Sequence, residues 1–192
     1  GRTIAQMLSE RLGIHYYDKE LLKLASEDSG INEDLFRNAD EHVKTTQLFK
    51  IAHSVYKGEL IPPESDDFTS MENLFNYQAK VIRQLAETES CVIIGRSADY
   101  ILKEQKPILR IFIYSPEDVR IQNVMKSHNF SAEDAKMFIT EKDKRYHKRH
   151  LALTGSNRGD RHNRDMLIDS SLLGVDGTAE LIEEVAKKVF HE

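Results

Sequence analysis

Gly1-Arg2-Thr3-Ile4-Ala5-Gln6-Met7-Leu8-Ser9-Glu10-Arg11-Leu12-Gly13-Ile14-His15-Tyr16-Tyr17-Asp18 is the stretch on which the fold turns. Ile4, Met7, Leu8 and Leu12 recur at helical spacing, and Gly13 is placed to end the helix. The helix opens on a glycine, a cation and a hydroxyl, and its first N–H groups and positive dipole end can receive an anion. The phosphate-loop signature G-x-x-x-x-G-K-[ST] closes on this trio, with Arg2 in the lysine place. An ordinary helix start is the competing reading of three residues. Ile14 to Tyr17 is then a short β-rich run, and Asp18 is placed to cap a helix over Lys19 to Glu27.

The 192 residues suffice for one domain, or one with an inserted lobe. Hydrophobic residues make up 40% and charged residues 31%, a globular balance with no apolar run long enough to span a bilayer. One cysteine, Cys91, excludes an internal disulfide framework and fits a reducing cytoplasm. It lies in the run Cys91-Val92-Ile93-Ile94 and reads as a small buried hydrophobe. The net charge of -5 argues against a nucleic-acid binder, but it is unevenly spread. Residues 142–164 hold eight Lys or Arg against Asp143 and Asp160, a local +6 that leaves -11 elsewhere. Such a concentration focuses field on a small polyanion, with a solvated helix face as the alternative.

Further along, Asn32 caps a helix, Val43 to Tyr56 reads as another, and Pro62 to Asp67 is a loop. A long helix runs from about Ser70 to Thr88, with Leu74, Gln78, Val81, Ile82 and Leu85 at helical spacing. Strands are expected over Cys91 to Ile94, Ile108 to Tyr114 and Met166 to Ile168. Ser115-Pro116-Glu117-Asp118 and Ser131 read as helix starts, and Gly177 to His191 as a closing amphipathic helix. Short apolar strands alternating with helices indicate a parallel sheet covered on both faces. The pattern also implies a first strand and the beginning of the phosphate loop upstream of Gly1. Tyr16, Tyr17, Phe75 and Tyr77 read as core aromatics. His147, His150 and His162 stand among arginines at no zinc spacing, and Asp165 and Asp169 flank the last strand.

Three segments carry a resemblance: Tyr17-Asp18-Lys19-Glu20-Leu21, Gly95-Arg96-Ser97-Ala98-Asp99-Tyr100-Ile101-Leu102 and Asp169-Ser170-Ser171-Leu172-Leu173-Gly174. With Gly1-Arg2-Thr3 and the basic segment, in this order, the chain resembles the cytidylate-kinase-like family of P-loop phosphotransferases. That family commonly has arginine at the phosphate-loop cation, as at Arg2. The resemblance implies a three-layer α/β P-loop kinase fold. Its core is 1–29, 90–140 and 165–192, its helical acceptor-binding insert 30–89, and its basic lid 141–164. It implies Mg²⁺ and ATP as cofactors, with Gly1, Arg2 and Thr3 on ATP and the Thr3 hydroxyl on the metal. Arg96, Asp18 and Asp99 fall to the acceptor, and Arg2, Arg145 and Arg149 to neutralising the transferring group. Pairing with Asp99 is the structural alternative for Arg96.

The chain departs from true cytidylate kinases in two places. Ile94 stands where they have a carboxylate before the Gly-Arg pair, and Asp18 and Asp99 are the nearest replacements. Lys19-Glu20-Leu21-Leu22-Lys23-Leu24 replaces their CMP-contacting Ser-Gly-Ala-Met-Tyr-Arg element. The expected activity is ATP-dependent phosphorylation of a small acceptor, with a nucleoside monophosphate such as CMP first. The alternatives are a kinase of a non-nucleotide small molecule and a non-catalytic nucleotide-binding or regulatory module. The expected setting is cytoplasmic, without nucleic-acid or membrane partners, and self-association into a homo-oligomer stays open.

Overall fold

The computed structural model describes residues 1–41 and 59–190. In chain order its elements are α1 (Arg2–Leu12), β1 (His15–Tyr17), α2 (Glu20–Ser29), α3 (Glu33–Glu41), α4 (Met71–Thr88), β2 (Cys91–Ile93) and α5 (Ala98–Ile101). Then come β3 (Ile111–Tyr114), α6 (Glu117–His128), α7 (Ala132–Thr154), a 3₁₀ turn (Arg161–Asn163), β4 (Met166–Asp169) and α8 (Gly174–Val189). They form two compact units: Gly1–Leu12, Pro107–Leu151 and Ser156–Glu192 in the first, Gly13–Lys106 and Ala152–Gly155 in the second.

In the first unit α1 packs on α8. The spacing of Ile4, Ala5 and Leu8 puts them on one buried face of α1, and Ala179, Ile182 and Ala186 form the buried face of α8. Alanines at these positions let two helix backbones approach, and each large apolar side chain removed from water contributes about 1.5–3 kcal/mol. Arg11 adds ion pairs to Glu183 at 3.4 Å and Asp176 at 3.8 Å. Strands β3 and β4 pair in parallel, with Ile111 opposite Met166 and Tyr114 opposite Asp169. Below their first residues Arg110 grips Asp165 bidentately at 2.9 and 3.1 Å. That hydrogen bonding holds the Asp165 carboxyl below its ordinary range. The Asp143 carboxylate on α7 accepts two hydrogen bonds from Arg120 on α6, at 2.7 and 2.8 Å.

The second unit holds the other parallel pair, β1 with β2, in the register His15–Cys91, Tyr16–Val92, Tyr17–Ile93. Its core is built by α2, α3 and α4 from Leu21, Leu22, Ala25, Phe36, Leu74, Phe75 and Ile82, all nearly inaccessible. Asn73, fully buried in the first turn of α4, anchors the preceding loop. Its side chain accepts from Ile61 N–H at 2.9 Å and donates to the carbonyls of Phe68 at 2.8 Å and Ile61 at 3.1 Å.

Several expectations hold at the level of single residues. Asn32 caps α3 through a 2.8 Å bond from Asp34 N–H. Ser70 caps α4, and Ser131 with Asp134 caps α7. Tyr17, Phe75 and Tyr77 are buried. Between residues 30 and 89 the described residues contain no strand.

Others are corrected. Parallel pairing is present as two two-stranded sheets, one in each unit. Residue Asp18 does not cap α2, whose N-cap is Lys19 without a side-chain bond, because the helix begins one residue late. Ser115 does not cap α6, since Pro116 occupies the N-cap and offers no side-chain acceptor. Helix α8 starts at Gly174, three residues before the expected Gly177, and β3 starts at Ile111 rather than Ile108. The helix expected over Val43 to Tyr56 lies outside the described residues.

Candidate functional site

In the second unit, the β1–β2 register brings the residues just after Tyr17 and Ile93 to the same carboxyl edge. Pairing persists one step further, with Ile94 N–H bonded to Tyr17 O at 2.8 Å. The chain then leaves the strand through three successive left-handed residues, Gly95, Arg96 and Ser97, at φ 68°, 53° and 54°. Glycine accepts this backbone freely, but arginine and serine do so at a cost of about 1–2 kcal/mol each. The turn sends the Arg96 side chain inward. Its Nε–H donates to the Asp18 carbonyl at 3.2 Å. Its Nη1 lies 2.7 Å from Asp40 Oδ1 on α3, the two side chains being 8% and 19% exposed. Two of the predicted acceptor residues therefore meet, Asp18 through its main-chain oxygen. The Asp18 carboxylate instead accepts from Tyr16 OH at 3.5 Å. Asp99 follows in the first turn of α5. Sequence reasoning missed Asp40, one acid among 32 on an ordinary amphipathic helix.

The first unit holds the start of α1. The Gly1 carbonyl accepts from Ala5 N–H at 2.9 Å, so Gly1 is the entry residue of the helix. Arg2 and Thr3 lie exposed in the first turn, whose N–H groups have no partner within the helix. Arg158 of the glycine-containing loop lies within electrostatic range of the helix start. Its guanidinium lies over the rings of Phe112 at 5.7 Å and Tyr146 at 5.2 Å, and burial weakens its hold on its proton. Arg164 fixes the Arg158 carbonyl at 2.8 Å and also faces Phe112. The predicted Arg145 and Arg149 lie one turn apart on α7, Arg145 exposed and over Tyr146 at 5.6 Å, Arg149 half-buried. Sequence reasoning counted Arg158 only as part of the basic segment. Its aromatic partners come from a strand 46 residues before it and a helix 12 residues before it, and no local pattern announces them.

A separate polar cluster joins β1 to Glu89, two residues before β2. Glu89 accepts from Tyr17 OH at 2.7 Å and lies 2.6 Å from His15 Nδ1. The Tyr17 bond holds the Glu89 carboxyl down, while burial and that carboxylate raise the tyrosine. Burial also pushes the neighbouring Cys91 thiol up to about 11. Among the described residues no group of three or more His, Cys, Asp or Glu side chains converges as a metal site, and no helix is long and apolar enough to cross a membrane.

The arrangement thus has a cation held at a strand end in one unit, and a helix start with two nearby cations in the other. Both suit phosphate groups. The profile of the cytidylate kinase-like family matches residues 1–172. The chain belongs to that family. Cytidylate kinase of Thermococcus sibiricus is 34% identical over 103 residues, 53% of this chain and 52% of that protein. Cytidylate kinase of Pyrococcus abyssi is 30% identical over 112 residues, 57% of this chain and 61% of that protein. The chain therefore spans about half the length of the curated relatives it matches. A crystal structure of an uncharacterized protein from Eubacterium ventriosum superposes with a TM-score of 0.68 at 24% identity, covering 98% of this chain and 92% of that one. It shows that the fold is shared.

Proposed function

We propose that this cytidylate kinase-like chain belongs to an enzyme that transfers the terminal phosphoryl group of Mg·ATP to a nucleoside monophosphate, with CMP the first acceptor. The observation that carries the reading is Arg96: a nearly buried guanidinium at the carboxyl end of a parallel strand, the edge at which open α/β sheets bind ligands. Phosphoryl transfer asks for positioning and charge neutralisation more than covalent chemistry. Arg96 supplies a fixed cation for the acceptor phosphate, with the Asp18 carbonyl bonded to its Nε and Asp99 three residues further along the chain. Gly1, Arg2 and Thr3 supply helix-end N–H groups, a forked cation and a hydroxyl for the donor phosphates. Arg145 and Arg149 act from α7 on the transferring group. Mg²⁺ suits this donor set, because it keeps water and phosphate oxygens and needs few protein ligands. The Thr3 hydroxyl would hold it, and it would neutralise charge on the donor phosphates. We place the enzyme in the cytoplasm on its lone thiol and soluble composition.

A second reading is a nucleotide-binding module without turnover, favoured by Ile94 in the carboxylate place and by Lys19 to Leu24 in place of the acceptor element. A coupled ADP-release assay on the full-length protein, with Mg·ATP and a panel of monophosphates and other small acceptors, separates the two. Turnover with CMP or UMP is the expected result. ATP binding without ADP release for any acceptor would reject the kinase reading in favour of the module. Turnover confined to non-nucleotide acceptors would keep the kinase and reject CMP.

A further inference from the structure

We infer that Asp40 is the positioning carboxylate of Arg96, doing from α3 what a carboxylate at the Ile94 position cannot do in this chain. The inference rests on the acceptor role of Arg96 proposed above.

Three observations lead to it. The Arg96 side chain is 8% exposed, and a guanidinium that far from water requires a counter-charge, which Asp40 supplies at 2.7 Å. The backbone that delivers Arg96 is left-handed at Gly95, Arg96 and Ser97. Such a run persists where the surroundings over-determine it, and here the side chain is tied at both ends of its fork, to Asp18 O by Nε and to Asp40 by Nη1. Finally, the buried Nη1 makes its contact with Asp40 as an ion pair without an aligned hydrogen bond. Donor capacity of the fork therefore remains for a further oxygen acceptor, and a phosphate oxygen matches it in charge and in geometry. Asp40 touches no reacting atom in this account. It keeps Arg96 aimed and charged, so that the acceptor phosphate meets a cation already in place rather than one it must order on binding.

The test uses the full-length protein carrying Asp40→Asn, Asp40→Glu and Arg96→Ala singly, and Asp40→Asn combined with Arg96→Ala. KM is measured for CMP and for ATP, and the midpoint of thermal unfolding is followed with and without inorganic phosphate as an anion probe. Asp40→Asn is expected to raise the CMP KM by about tenfold or more while the ATP KM stays within about twofold. Asp40→Glu keeps the charge and displaces it by one methylene, and should give an intermediate rise with the fold retained. In the Arg96→Ala background, Asp40→Asn should add nothing further. The phosphate-dependent rise in midpoint should shrink in Asp40→Asn and vanish in Arg96→Ala. An unchanged or lowered CMP KM in Asp40→Asn, equal effects on both substrates, or a full effect without Arg96 would each overturn the inference. Should Asp40→Asn not fold, an unaltered CMP KM in Asp40→Glu overturns it instead. Arg96→Ala without effect on the CMP KM would remove the acceptor reading itself. A large Arg96→Ala effect beside a silent Asp40→Asn would remove this inference alone.

Discussion

Replacing Asn73 with alanine isolates what holds the loop before α4 against that helix. The amide is fully buried and makes three side-chain bonds, to Ile61 N–H at 2.9 Å and to the carbonyls of Phe68 and Ile61 at 2.8 and 3.1 Å. Alanine keeps the Asn73 main-chain N–H, so the Ser70 cap at 3.3 Å survives and the start of α4 is not disturbed. Three neutral hydrogen bonds at about 1 kcal/mol net give about 3 kcal/mol. The peptide groups of Ile61 and Phe68 are left behind, and if water does not reach them the loss rises to about 5 kcal/mol. The chain has no tryptophan, so far-UV circular dichroism in urea is the appropriate probe. At an m-value of about 3 kcal/mol per molar urea, the midpoint should fall by about 1–1.7 M. A loss under about 1 kcal/mol, at unchanged m, would refute the claim that this amide rather than apolar burial fixes the loop.

Three further outcomes are expected. Arg158→Ala should weaken ATP about tenfold in direct titration, with Arg158→Lys rescuing little because the guanidinium plane is what meets Phe112 and Tyr146; equal ATP affinity in all three proteins would contradict this. Gly95→Ala meets no atom within 4 Å but imposes φ +68° on a residue with a Cβ, so calorimetry should find a loss of about 1–2 kcal/mol, or roughly 2–4 °C per kcal/mol; a neutral result would show that the turn relaxes. The Asp165 carboxyl is held below its unfolded value, so its contribution is present above about pH 4 and lost as pH falls through the lower folded value. Thermal midpoints of wild type and Asp165→Asn should accordingly differ at neutral pH and converge in acid; a gap that widens toward acid would reverse the assigned sign.

The elements were legible because their signals are local. Alternating apolar residues, Asn32, Ser70 and Ser131 each act within one turn, and the structure keeps them where the residues put them. Boundaries shifted where two local signals competed, as at Ser115-Pro116, where a ring without an acceptor took the cap position. The site was legible in part for the same reason. Gly95-Arg96 after an apolar strand is a local pattern, and so is a cation in the first turn of α1. Asp40 and Arg158 were not legible, because their meaning lies in partners brought near by the fold: Arg96, 56 positions after Asp40, and Phe112, 46 positions before Arg158. A helix start can be read from four letters, whereas a buried ion pair between distant segments has no letters of its own.

The state of Cys91 has a practical use. It is the only cysteine in the sequence, and its thiol is pushed up to about 11 by burial and by the Glu89 carboxylate. The thiolate is the form that alkylating reagents attack, so the raised value slows them. The native chain is therefore expected to react with maleimide more slowly than a free thiol does. A cysteine introduced at an exposed position such as Glu41 or Lys144 would take up a dye or spin label ahead of it. Motion of α3 or of the basic helix during nucleotide binding could then be followed without first removing the natural residue.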